Sequence, residues 1–150
     1  MEKEKNLNPG EALLREIYKN ANMGEDALNS LISRATDENL RRDITHQLEM
    51  YAGFADKAKC RLYKMNIKPK EINPMAKISS EISMTMSTMA DSSAGKLAGM
   101  IIEGATMGIV ELKKQITAAK NENAPADITD LANDVVKFEE NSINKMKAYL

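Results

Sequence analysis

Glu139 is the residue whose type and position most directly suggest chemistry in this chain. It falls in the apolar stripe of the C-terminal segment, between Val135 and Ile143, at the spacing of successive helical turns. A carboxylate on the core side of a helix must find hydrogen-bond donors or a cation, because unpaired buried polar groups are costly. We therefore predict that Glu139 points into the protein and belongs to a polar or metal-binding site.

Three further side chains could supply oxygen ligands beside Glu139. Glu111 lies next to the apolar face of the fourth predicted helix, Glu25 lies at the margin of the first, and Gln47 lies on the second. Hard cations such as Mg²⁺, Ca²⁺ or Mn²⁺ accept ligands of this kind, and iron also binds them. The candidate metal ligands are therefore Glu139, Glu111, Glu25 and Gln47, with Tyr51 nearby.

The alternative for these carboxylates is a structural role. In it they accept hydrogen bonds from Tyr18, Tyr51, Gln47 or Gln115 and fix the register of the packed helices. We favour this interpretation, because a site with two metal ions normally needs more carboxylates than the sequence offers here.

The single histidine, His46, and the single cysteine, Cys60, limit the other kinds of site. His46 and Glu49 lie roughly 150° from the centre of the apolar stripe of the second helix, so we expect both to face solvent. One histidine excludes a histidine-based metal site or a nucleophilic triad within one subunit. One cysteine excludes an intramolecular disulfide and a cysteine-based zinc site. The eleven methionines indicate core packing or an adaptable apolar surface rather than a copper site.

Composition favours one compact domain over residues 1–150, with residues 1–8 disordered. The chain is 43% hydrophobic and 29% charged with a net charge of -1, and its Lys and Arg residues are spread rather than clustered. This pattern predicts no nucleic-acid partner and no membrane partner. The N-terminus lacks an apolar signal segment, so we expect a cytoplasmic protein.

Apolar periodicity predicts an all-α fold, since no alternating strand pattern occurs. Each predicted helix opens at capping residues or at a proline, namely Asn8-Pro9, Thr36-Asp37, Asn73-Pro74, Asp91 and Pro125. Glu11 is expected to complete a capping box with Asn8. The five predicted helices cover residues 9–34, 37–66, 74–89, 92–121 and 126–149.

The short helix over 74–89 is expected to cover one end or side of the bundle, and a single helix over 74–121 is the alternative. In the fourth helix, Gly104 and Gly108 predict close packing of a neighbouring helix. Its second apolar stripe, formed by Ile102, Ile109 and Ile116, predicts a homodimer interface, and the methionine-bearing short helix over 74–89 is the alternative interface.

Long antiparallel helices that each carry an inward polar residue resemble the ferritin-like superfamily over most of residues 9–150. Glu139 with Ser142 stands where that family has Glu-x-x-His, and Ile44 with Gln47 stands at the corresponding spacing on the second helix. The resemblance implies an antiparallel four-helix bundle with an extra short helix between the second and third long helices. It also implies a carboxylate-bridged metal centre, but the histidine ligands are absent.

Two functions remain open. The first is a non-enzymatic ferritin-like module with a structural or interaction role, without a cofactor, which forms a homodimer and binds an unknown protein partner. The resemblance extends this role to spore coats, to which a few such proteins are linked. The second is a divergent protein that binds iron or manganese through carboxylates.

Overall fold

The computed structural model describes residues 8–68 and 90–150. Within these ranges the chain is all-helical, which confirms the expected fold class. The helices are α1 (Glu11–Ile32), α2 (Glu38–Tyr63), α3 (Ala94–Asn121) and α4 (Ala126–Met146), followed by a 3-10 turn at Lys147–Tyr149.

These four helices agree with four of the five predicted from the sequence, apart from a few residues at the ends. The helix predicted over 74–89, and residues 1–7 of the expected disordered terminus, lie outside the described residues. The alternative of one helix over 74–121 is wrong, because residues 90–93 are not helical. Ser93 is extended there (φ -62°, ψ 159°), and it caps α3.

Polar side chains at the N-termini of α2 and α3 define where these helices begin. Asp37 accepts a hydrogen bond from the backbone N of Leu40 at 2.9 Å, so Asp37 caps α2, whereas a helix over 37–66 would have Thr36 as its cap. For α3 the cap is Ser93, whose hydroxyl accepts from the backbone N of Lys96 at 3.3 Å. Asp91, the expected start, instead accepts from the backbone N of Ser93 at 2.9 Å and so supports the cap from outside the helix.

The start of α1 differs from the expectation that Pro9 is its first helical residue. The Glu11 carboxylate accepts from the backbone N of Asn8 at 3.2 Å, as in a capping box. Helix α1 nevertheless begins only at Glu11, after a turn in which Gly10 has φ 88°. A Cβ on Gly10 would lie 2.8 Å from Cδ1 of Ile128. Glycine is therefore needed both for the backbone conformation and for contact with α4.

The described helices form two antiparallel hairpins, since only residues 33–37 separate α1 from α2 and only residues 122–125 separate α3 from α4. Arg61, near the end of α2, donates to Asp127, at the start of α4, at 2.6 Å. At the opposite end, Tyr149 donates to Asp43, near the start of α2, at 2.7 Å. Helices α2 and α4 are therefore antiparallel neighbours.

Helices α1 and α3 are also antiparallel neighbours. Asn20 lies against Gly108. The pKa of Glu16, one turn earlier on α1, is raised by burial and by the nearby charge of Glu111, which comes later on α3. It follows that α2 and α3 run in the same direction on opposite sides of the bundle. The end of α2 and the start of α3 therefore lie at opposite ends of the bundle. The length of the bundle is about 39 Å, given the 26 residues of α2 and a rise of about 1.5 Å per residue.

Helix α1 has the most central position and packs against the other three helices. Its inward stripe is Leu13, Leu14, Ile17, Ala21 and Leu28, all buried. Helices α2 and α4 approach each other less closely than the other neighbours do. An open groove between them, the α2–α4 groove, is lined by side chains that include Gln47, Phe54 and Phe138. In the described part of the chain, every helix is too short or too polar to cross a membrane.

Candidate functional site

A group of buried polar side chains crosses the middle of the bundle. Asn20 comes from α1, Gln47 and Tyr51 come from α2, and Glu139 comes from α4, and all four are buried. We call these four residues the polar layer. Each occupies an apolar-stripe position of its helix, so the polar layer interrupts a core that is otherwise hydrophobic.

Glu139 is the centre of the polar layer. Its side chain points inward, as predicted, with only 2% of the residue exposed. The Tyr51 hydroxyl donates a hydrogen bond to Oε2 of Glu139 at 2.8 Å. Burial raises the pKa of Glu139 from its ordinary value of 4.5 to about 8, although hydrogen bonds from Tyr51 and Asn20 lower it. The carboxyl group is therefore mostly protonated at neutral pH.

Two glycines provide the space for these side chains. A Cβ on Gly108 would lie 2.6 Å from Nδ2 of Asn20 and 2.9 Å from Oε2 of Glu139, and a Cβ on Gly24 would lie 2.6 Å from the Tyr51 ring. Gly108 thus permits a close approach, as predicted, but the approaching groups are polar side chains. The same prediction was wrong for Gly104, where a Cβ would meet nothing within 4 Å.

Aromatic rings hold Tyr51 on the side of the polar layer that faces the α2–α4 groove. The Tyr51 and Phe138 rings pack edge to face with centroids 5.1 Å apart, and Phe54 lies 5.6 Å from Phe138. Burial and the neighbouring Glu139 carboxylate raise the pKa of Tyr51 well above 10. Tyr51 therefore keeps its proton and acts as a hydrogen-bond donor to Glu139.

Three atoms of the polar layer have no hydrogen-bond partner among the described residues: Oδ1 of Asn20, Nε2 of Gln47 and Oε1 of Glu139. Oδ1 of Asn20 on α1 and Oε1 of Glu139 on α4 are both oxygens, and these two helices are in contact. A protonated Glu139 has a hydrogen-bond donor of its own, whereas the Asn20 oxygen is an acceptor. The neutral carboxyl group thus suits the hydrogen-bonding chemistry of this layer better than a carboxylate does.

The structure separates the four candidate metal ligands. Glu139 and Gln47 are buried, but the Glu111 side chain is 51% exposed and accepts from Lys114 at 3.4 Å on the outside of α3. Glu25 is partly buried, and burial together with the neighbouring Asp26 and Asp56 raises its pKa. Glu111 and Glu25 therefore do not join Glu139.

The interior donor set consists of one carboxyl group, one phenol and two amides. Within residues 8–68 and 90–150, no group of three or more His, Cys, Asp or Glu side chains could hold a metal ion. A carboxylate-bridged centre with two metals needs several carboxylates close together. The polar layer does not fit such a centre, and His46 is on the surface as expected.

Asn20 is the member of the polar layer that the sequence interpretation missed. It stands three residues after Ile17 and seven after Leu13, which are positions on the inward face of α1. That spacing was a readable signal, because a polar residue at a stripe position marks a buried polar group. The residue predicted for the site on this helix is instead Glu25, since carboxylates are typical ligands of hard cations.

A second feature lies on the outside of α3. Met107 is 69% exposed and Val110 is 48% exposed, one helical turn apart. In the sequence from Leu97 to Val110, Glu103 is the one charged residue. We define the α3 face as Gly99, Glu103, Thr106, Met107, Val110, Lys114 and Thr117.

The isoleucine stripe predicted as a dimer interface lies mainly inside the protein. Ile116 is buried, and Ile102 and Ile109 are partly buried and pack against the core. The exposed apolar side chains of α3 are instead Met107 and Val110. The short helix over 74–89, the alternative interface, lies outside the described residues.

Comparison of the chain with protein-family models, with curated proteins and with solved structures gives no significant match. The polar layer and the α3 face are therefore the features of the molecule from which we infer a function.

Proposed function

We propose that this protein is a non-enzymatic helical-bundle interaction module that self-associates through the α3 face. The observation that carries the proposal is the exposure of Met107 and Val110 on one side of a long helix. Exposed apolar side chains that are adjacent to each other favour association, because contact with a partner removes their surface from water.

The chemistry of the polar layer supports a structural role rather than catalysis. Glu139 is a protonated, hydrogen-bonded group with a pKa of about 8. Glu139 itself is 2% exposed, and Gln47 is the one member of the polar layer that lines the open groove between α2 and α4. Buried polar groups of this kind fix which faces of the helices meet, since any other register would leave them without partners.

The helix directions support the proposed kinship with ferritin-like bundles. The described helices form two antiparallel hairpins, and α2 runs in the same direction as α3, as the second and third long helices of ferritin-like folds do. We infer that the chain is a divergent bundle of this type, in which Asn20 and Gln47 occupy interior positions without a carboxylate.

Self-association is tested by light scattering coupled to size-exclusion chromatography over a range of protein concentrations. We expect a dimer that dissociates on dilution. The double variant Met107→Glu/Val110→Glu should remain monomeric, because each charge would be desolvated in the interface. Tyr63→Glu is the matched control, since it removes an exposed large side chain from a different surface, and it should still dimerise. A wild-type monomer at every concentration refutes the proposal.

A second candidate function is the binding of a single manganese or iron ion at Glu139. The unpaired oxygens of Glu139 and Asn20 favour it, because both could act as ligands. A ligand that binds only the folded state raises the melting temperature. Titration with Mn²⁺ and Fe²⁺ should then stabilise the wild type but not the Glu139→Gln variant. Equal responses of the two proteins would eliminate this candidate.

A further inference from the structure

The α3 face has a charge pattern that is complementary to itself. Glu103, Met107, Val110 and Lys114 follow one another at intervals of four, three and four residues, so they form a stripe along one side of the helix. The two apolar residues are in the centre, and side chains of opposite charge lie at the two ends. Glu103 is exposed, and the Lys114 side chain is 68% exposed.

Two copies of this stripe match only when the helices run in opposite directions. With a two-fold axis between residues 108 and 109, Glu103 of one copy faces Lys114 of the other, and Met107 faces Val110. A parallel pair in register would instead place Glu103 against Glu103 and Lys114 against Lys114. Like charges directly opposite each other disfavour that arrangement.

We propose that two copies of the chain pair through antiparallel α3 helices, with Glu103 of each copy bound to Lys114 of the other. This inference rests on the proposed self-association and specifies its geometry. Both apolar pairs lie at the centre of the contact, and both charge pairs lie at its rim. A symmetric dimer of this kind uses the same surface on both copies, so it closes without exposing a further site.

The local surroundings permit this contact. Among the described residues, Lys114 pairs with Glu111 alone, at 3.4 Å in an exposed ion pair, and such pairs are worth at most about 1 kcal/mol. Lys114 can therefore turn toward a partner at little cost. Gly99 and Thr117 lie at the ends of the α3 face, and a Cβ on Gly99 would meet nothing within 4 Å. These small residues let a second helix approach.

Charge exchange tests the direction of the helices. Glu103→Lys and Lys114→Glu, made singly, each turn two attractive pairs into two repulsive ones, and the dimer dissociation constant should rise roughly tenfold. The double variant Glu103→Lys/Lys114→Glu should restore the wild-type constant. An equimolar mixture of the two single variants should form a mixed dimer, because each chain then supplies the charges that the other needs. Analytical ultracentrifugation measures the dimer dissociation constants of the two single variants, the double variant and the mixture.

Disulfide formation tests the register independently. In a Cys60→Ser background, Gly99→Cys and Thr117→Cys chains should cross-link with each other when mixed and oxidised. Neither chain should cross-link with itself, since an antiparallel pair places identical residues far apart. Self-linked Gly99→Cys chains, or a double charge variant as weak as the single ones, would overturn the antiparallel geometry while leaving dimerisation intact. A monomeric wild type would overturn the proposed function as well.

Discussion

Glu139 shows how the core of a helical bundle accommodates a buried acid. Its hydrogen bond from Tyr51 spans α4 and α2, and its contact with Asn20 reaches α1. Because burial keeps the carboxyl group protonated, the bundle avoids the cost of an unpaired charge. The consequence is specificity, since this set of side chains comes together only when the helices have one register.

Gly108→Ala should destabilise the protein although alanine is the better helix former. The added Cβ would lie 2.6 Å from Nδ2 of Asn20 and 2.9 Å from Oε2 of Glu139, so the polar layer must shift. We expect a loss of about 1–3 kcal/mol in the free energy of unfolding, as in overpacked cores. Gly53→Ala on α2 is the control, since its Cβ meets nothing within 4 Å, and it should stabilise by up to about 1 kcal/mol. Urea denaturation measures both, and a stabilised Gly108→Ala would contradict the packing argument.

At the scale of helices, capping signals predicted the existence of elements better than their boundaries. Asp37 caps α2, one residue after Thr36, the cap that the predicted helix over 37–66 implies. For α3 three candidate residues, Asp91, Ser92 and Ser93, stand in a row, and the sequence alone does not distinguish which one adopts the extended conformation. For α1, the turn at Gly10 depends on its contact with Ile128, which is a residue 118 positions away in a different helix. Local patterns contain no information on such a contact.

Asp37→Ala should weaken the α1–α2 hairpin. The substitution removes the hydrogen bond from the backbone N of Leu40, which is 2.9 Å long, and leaves a helix N-terminus without its cap. Loss of such a cap costs about 0.5–2 kcal/mol. Thr36→Ala, one residue earlier at an exposed position, should change the free energy of unfolding by less than about 0.5 kcal/mol. Thermal and urea unfolding of the two variants compare them directly, and equal losses would show that Asp37 has no special role.

At the scale of the whole molecule, the apolar stripes predicted that helices pack but not the order in which they do so. A stripe such as Leu40, Ile44 and Tyr51 indicates which face is buried and not which helix covers it. The parallel direction of α2 and α3 follows from contacts between distant residues, Arg61 with Asp127 and Tyr149 with Asp43. The inward position of Glu139 was predictable, because it depends on the period of one helix. The exposure of Glu111 was not predictable from the sequence, because this exposure depends on where α1 and α4 lie around α3.

The stability of the bundle should depend on pH through Glu139. Its folded-state pKa, about 8, is raised above the ordinary value of about 4.5, so the folded state holds a proton that the unfolded chain releases. The stabilising contribution is complete below pH 4.5 and is lost as the pH rises toward 8. Across this window the free energy of unfolding should fall by about 1.4 kcal/mol per pH unit from this group.

Glu139→Gln should remove this slope, since the amide has a similar shape and does not titrate, and the variant should be the more stable protein at pH 8 and above. Glu140→Gln changes the same charge at an exposed neighbouring position and should retain the pH dependence of the wild type. Urea denaturation from pH 5 to pH 9 in the presence of a chelator, at one fixed protein concentration, measures the three proteins. Parallel curves for the wild type and Glu139→Gln would mean that the buried carboxyl group is ionised in the folded protein, and that a cation or a hydrogen bond not formed by Tyr51 and Asn20 compensates its charge.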